Sequence, residues 1–110
     1  MEERRRFVRI NKNVRISYRV QKGFLRTETK SKNVSQGGIS FSIPQRLADG
    51  VIIEMQIHIL DSDATIDASG KVLWSYPVTN EQHPFMVGVE FIKISPADQR
   101  ILLRVLKSAG

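Results

Sequence analysis

From Val14 the chain alternates, with Val14, Ile16, Tyr18 and Val20 on one side and Arg15, Ser17 and Arg19 on the other. A period of two sets one face of a strand against a core and the other in water. Gln21-Lys22-Gly23 turns the chain, and residues 24–32 alternate charged residues with threonine, which predicts an exposed strand at a sheet edge. The polar stretch Asn33-Val34-Ser35-Gln36-Gly37-Gly38 predicts a turn, after which Ile39, Phe41 and Ile43 face inward and Ser40 and Ser42 outward. Pro44 stops that strand, and residues 44–50 read as a loop. Val51, Ile53, Met55, Ile57 and Ile59 form the longest strict alternation, followed by a turn at Asp61-Ser62-Asp63. Ile66, Ala68, Val72 and Trp74 share one parity, with Gly70 among them as a bulge or close-approach point. After a polar loop from Pro77 to Pro84, Phe85, Val87, Val89 and Phe91 give the last strand, with Gly88 and Glu90 on its other face.

The last segment changes period. Ser95-Pro96-Ala97-Asp98 offers an N-cap serine, proline at the first helical position and an acid in the first turn. Ile101, Leu102, Val105 and Leu106 then form an apolar stripe opposite Arg100, Arg104 and Lys107. Six strands in hairpin order and one terminal helix predict a mainly β fold, a six-stranded antiparallel β-barrel with a C-terminal α-helix. Closure removes the edges that six strands would otherwise expose. Residues 1–13 carry neither period and read as an N-terminal arm, anchored by Phe7 and Ile10, so the expected organisation is an arm at 1–13 and a barrel plus helix at 14–110.

At 110 residues the chain has room for one modest core. No apolar run approaches the roughly 20 residues of a membrane helix, and the charged N-terminus lacks the apolar stretch of a signal peptide. With no cysteine there is no disulfide framework or thiolate metal site. A cytoplasmic protein, or a cytoplasmic domain of a larger assembly, is expected. The formal charge of +6 admits a polyanionic partner. Residues 1–9 hold four arginines against Glu2 and Glu3, a balance of +2, which leaves +4 for the rest. A solvated basic surface accounts for that remainder equally well.

Enzyme signatures are nearly absent, and no catalytic or metal residue is assigned. His58 lies on the outward parity of its strand and His83 in a polar loop, neither beside a nucleophile nor at metal-ligand spacing. Asp61, Asp63 and Asp67 fit a hairpin turn better than a calcium loop, since Ile66 stands where such a loop needs glycine and Val72 where it needs glutamate. The arm differs in using only arginine. A guanidinium's forked donors match phosphate oxygens or the O6/N7 edge of guanine, and its plane stacks on a base. Alone, such a run is a solvated tail. The turn offers the short polar side chains of Asn33 and Ser35 and two glycines that permit positive φ and leave backbone N–H groups open to an anion. Alone, it is an ordinary hairpin turn.

Together the two segments resemble the PilZ domain, a bacterial receptor module for cyclic di-GMP. The family's first motif, two arginines separated by three residues, is met by Arg5-Arg6-Phe7-Val8-Arg9; its second, Asp or Asn, any residue, Ser, two residues, Gly, by Asn33-Val34-Ser35-Gln36-Gly37-Gly38. The resemblance runs on through the Val-Leu-Trp strand end and the Gly-Val-Glu-Phe strand before the helix. It implies a split barrel with no cofactor and cyclic di-GMP as ligand. Arg5 and Arg9 would grip phosphate and the guanine edge, while Asn33, Ser35, Gly37 and Gly38 would line the opposite wall. Arg4 extends the motif by one arginine, which in this family accompanies a stacked, intercalated ligand dimer. Asn33 is neutral where many members carry aspartate, which predicts weaker pairing to guanine N–H groups. Trp74 has two readings: its parity with Val72 says core, and the resemblance says a ring edge beside the purine.

The function expected is a non-enzymatic second-messenger receptor whose arm rearranges on ligand binding and signals to a downstream protein partner. One alternative is a PilZ-like adaptor that binds no nucleotide. Another is a small barrel for RNA or single-stranded DNA, which is disfavoured because most aromatics share parity with the aliphatic core instead of forming a stacking platform.

Overall fold

The computed structural model describes residues 9–10, 14–31, 33–59, 63–79 and 82–108. The elements run β1 (Arg9–Ile10), β2 (Val14–Val20), β3 (Thr27–Ser31), β4 (Asn33–Ser35), β5 (Gly38–Ile43), β6 (Ile52–Ile59), β7 (Thr65–Pro77), β8 (Phe85–Ile94) and α1 (Pro96–Ser108). All strand pairs are antiparallel, in the order β1-β4-β5-β8-β7-β6-β2-β3. The sheet therefore has eight strands, not the six expected. The six predicted strands are β2, β3 and β5 to β8, and the additions are the short β1 and β4. Two or three residues carry too little of a period-two pattern to reveal a strand.

The ladder curls until its β3 end lies against β5, and side chains seal the seam between them. Thr29 Oγ1 donates to the Ser42 carbonyl at 2.8 Å and Ser31 Oγ to the Ser40 carbonyl at 2.6 Å. Ser31 Oγ also accepts the Asn33 N–H at 2.9 Å. Thr29, Ser31 and Ser40 are buried as a result. The expected edge strand 24–32 begins at Thr27, and one of its faces is covered; Ser40, expected to face water, does not. Each hydroxyl stands in for a ladder bond that the split denies the backbone.

Inside, Ile16, Tyr18, Ile39, Phe41, Ile53, Ile57, Ile66, Val72, Val87 and Val89 form one buried cluster, as the alternation requires. Tyr18 on β2 meets Phe41 on β5 across the interior, with ring centroids 5.5 Å apart. Burial of each such side chain contributes about 1.5–3 kcal/mol. The cap of α1 forms as predicted: Ser95 Oγ accepts the Asp98 N–H at 3.1 Å, and the Ser95 carbonyl accepts the Gln99 N–H at 2.8 Å. The Asp98 carboxylate then accepts the Asp67 N–H at 3.0 Å, which ties the helix start to β7. Leu102 enters the core, with Ile101, Val105 and Leu106 packed beside it.

Two irregularities break the β7–β8 register, between Ser69 and Gly70 and between Val72 and Trp74. At the first, Ser69 pairs with Lys93 and Gly70 with Phe91, so the extra residue is Ile92 on β8, and Gly70 is the close-approach point, where a Cβ would stand 2.3 Å from Val89 Cγ1. At the second, Val72 pairs with Val89 and Trp74 with Gly88, so Leu73 is the extra residue. The bulge ends the parity that linked Trp74 to Val72. Trp74 is 37% exposed, and the core reading of that residue is incorrect.

Candidate functional site

The predicted turn is narrower than expected. Asn33–Ser35 is β4, Gly38 opens β5, and only Gln36 and Gly37 bridge them. Ser35 Oγ accepts the Gly38 N–H at 3.2 Å and donates to the Gly38 carbonyl at 3.3 Å, two long bonds that close the bend. The Gly37 carbonyl accepts the Phe91 N–H at 2.9 Å, which pins the turn to β8. The glycines do not serve positive φ: among the described residues only Lys22 and Gly50 adopt it. At Gly38 the reason is proximity, because a Cβ there would lie 2.2 Å from the Val89 carbonyl oxygen. That expectation is corrected from conformational freedom to close approach.

Beside the turn lies an open depression of about 220 Å³, lined by Ser35, Gly37, Gly38, Trp74, Gly88 and Glu90 among others. Four of the residues singled out from the sequence thus share one surface. Asn33 is exposed on β4, one alternation from Ser35. Arg9 reaches the same region through its backbone: β1 pairs with β4, with Arg9 opposite Ser35 and Ile10 opposite Val34. Part of the expected arm is therefore a strand alongside the turn. Arg4 and Arg5 lie outside the described residues.

Trp74 is held in place from two directions. Its ring stacks on Tyr76 with centroids 5.1 Å apart and planes 16° from parallel. Its Nε1–Cε2–Cζ2 edge rests on Gly88, where a Cβ would come within 2.1–2.5 Å of those atoms. Gly88, Glu90 and Tyr76 were not assigned to the site from the sequence, because the strand register that brings Gly88 opposite Trp74 leaves no local signal. Glu90 brings a carboxylate, an acceptor suited to N–H groups. The depression is smaller than the roughly 300–1,000 Å³ of sites that enclose a ligand. It suits one planar group laid on glycine backbone beside an indole, with further walls needed to hold anything larger. Among the described residues no group of acidic, histidine or cysteine side chains could hold a metal ion. No helix among them is long and apolar enough to cross a membrane.

Comparisons with known proteins agree with this architecture. The fold is similar to the Bacillus subtilis inhibitor of motility MotI/DgrA, with a TM-score of 0.77 at 19% identity over 92% of this chain and 48% of that one. It is similar to Escherichia coli YcgR in complex with c-di-GMP, with a TM-score of 0.76 at 16% identity over 96% of this chain and 45% of that one. The isolated YcgR PilZ domain with c-di-GMP gives a TM-score of 0.70 at 16% identity, over 96% and 91%. The chain thus spans about half the length of MotI and of the longer YcgR chain. No curated protein sequence matches it. The family comparison matches residues 3–108 to the PilZ domain, the stretch that holds both the arginine motif and the glycine turn, and the chain belongs to the PilZ domain family.

Proposed function

We propose that this domain is a receptor for cyclic di-GMP that signals by rearranging its N-terminal arm, with a binding rather than a catalytic role. The observation that carries the reading is the register of β1 on β4, with Arg9 opposite Ser35 at the rim of the glycine-floored depression. Family membership and the c-di-GMP complexes of YcgR support it. In the proposed complex a guanine lies on Gly37 and Gly38 with its edge toward Asn33 and Ser35, and Trp74 closes one side. Arg5 and Arg9 reach the phosphates and the O6/N7 edge, and Arg4 extends the grip to a second, stacked ligand.

Rearranging a segment costs conformational freedom, which charge-assisted bonds to two phosphates offset. The ligand shifts the population toward the clasped state and changes the surface offered to a downstream protein. Alanine at Arg5 or Arg9 removes about 1.5–3 kcal/mol of charged hydrogen bonding, a loss of roughly ten- to hundredfold in affinity. The ligand-free melting temperature should stay within a degree or two of the parent. Calorimetric titration checks both variants, and parental affinity in Arg9→Ala would refute the mechanism.

A further inference from the structure

The loop joining β2 to β3 carries the two most exposed large apolar side chains among the described residues, Phe24 at 99% and Leu25 at 81%. This loop is tied down. Gln21 N–H donates to the Ile52 carbonyl at 2.9 Å and Gly23 N–H to the Val20 carbonyl at 2.8 Å. Arg19 Nη1 donates to the Gly23 carbonyl at 3.1 Å while Nη2 holds Glu54 at 2.5 Å. Arg26 Nε donates to Ser17 Oγ at 2.9 Å on the other side of the tip. Lys22 takes φ 70°, a conformation non-glycine residues rarely adopt. The backbone is thus held in a shape that raises two largely exposed apolar side chains into water at the lip of a groove they share with Tyr18, Val20, Pro44 and Leu47. Exposed apolar groups rimmed by polar ones mark interaction surfaces.

Charge narrows the kind of surface. Of the five cations in residues 14–31, Arg15 and Lys30 pair in register at the far end of the hairpin and Arg19 holds Glu54, which leaves Lys22 and Arg26 as the cations beside the tip. Lys22 and Arg26 flank the apolar pair directly. A groove of about 270 Å³ beside the tip, lined by Tyr18, Val20, Pro44 and Leu47 among others, contains no acid.

We propose that the β2–β3 tip is a docking element for an anionic lipid surface. Phe24 and Leu25 enter the boundary between headgroups and acyl chains, and Lys22 lays its stem along it with its charge at the phosphates, while Arg26, held on Ser17, adds positive charge behind the tip. A pair of side chains that protrudes needs a medium that opens around it, which a fluid bilayer does and a folded partner does only with a matching cavity. The tip is also clear of the depression. Gly38 lines the depression and Pro44 the tip groove, at opposite ends of β5, about 20 Å apart at roughly 3.3 Å per residue. The proposal therefore stands independently of the nucleotide reading.

Flotation with vesicles of phosphatidylcholine alone, and of phosphatidylcholine mixed with phosphatidylglycerol, tests it. The protein should float with the mixed vesicles and not with the neutral ones. Phe24→Ser/Leu25→Ser should lower the partition coefficient at least tenfold with an unchanged melting temperature, since both side chains already sit in water. Lys22→Gln should lower it about fivefold, the share of one cation near an anionic surface. Failure of the parent to bind mixed vesicles overturns the proposal and leaves the tip to a protein partner. Binding that survives Phe24→Ser/Leu25→Ser overturns it too, since charge alone would then suffice.

Discussion

Gly88→Ala puts the geometry of the candidate site under the most direct strain. The added methyl would stand 2.1–2.5 Å from three atoms of the Trp74 ring, against ordinary contacts near 3.5–4.0 Å, so the indole must move by more than 1 Å. Small shifts of this kind cost about 1–3 kcal/mol. Complete expulsion sets an upper bound. The ring is 37% exposed, so about two-thirds of its roughly 200–250 Å² is covered, worth about 3.5 kcal/mol at about 25 cal/mol per Å². A loss of about 2 kcal/mol is expected, a fall of roughly 8 °C in melting temperature for a domain of this size. Trp74 is the chain's single tryptophan, so emission reports this ring alone, and its maximum should move to the red as the stack on Tyr76 opens. In a Trp74→Ala background the same change should cost little, a coupling that a double-mutant cycle measures. Parental emission and melting temperature in Gly88→Ala would show that the indole does not rest on Gly88.

The remaining expectations concern the seam, the core and alkaline pH. Ser31→Ala removes one bond to the Ser40 carbonyl and one from the Asn33 N–H, which should cost about 2 kcal/mol in denaturant unfolding; an unchanged midpoint would mean that the barrel closes without these hydroxyls. Burial raises the Tyr18 phenol above 10.0, against an opposing hydrogen bond to Thr27. The neutral phenol is therefore favoured in the folded state: its stabilisation is complete below about pH 10 and is lost as pH rises through the folded value, by up to about 1.4 kcal/mol per pH unit. Tyr18→Phe should flatten that part of the alkaline melting profile, and an identical slope would contradict the assignment.

Much of the barrel was legible because burial writes itself into alternation. Ile53, Met55, Ile57 and Ile59 face the core, and no competing signal interrupts them. Parity alone misplaces Trp74 for the converse reason: parity holds only while register holds, and the extra residue Leu73 turns the strand without leaving a mark in its own sequence. The seam was invisible because hydropathy does not separate a solvated hydroxyl from one that, like those of Thr29 and Ser31, spends itself on a neighbouring carbonyl. Gly38 could be flagged as special, but glycine answers both positive φ and crowding, and only the 2.2 Å approach to Val89 chooses between them. Of the site, the motif residues Ser35, Gly37 and Gly38 were readable. Glu90 and Gly88 join them through the β5–β8 and β7–β8 ladders, whose pairing no local pattern encodes.

The receptor reading is tested most directly by titrating the intact chain with cyclic di-GMP in a calorimeter while following Trp74 emission in parallel. Saturable heat at micromolar ligand, with an emission change at the same midpoint and a stoichiometry of one or two per chain, is the result expected of a purine laid beside that indole. No heat at micromolar ligand would contradict the reading and leave a PilZ domain that works through protein contacts alone.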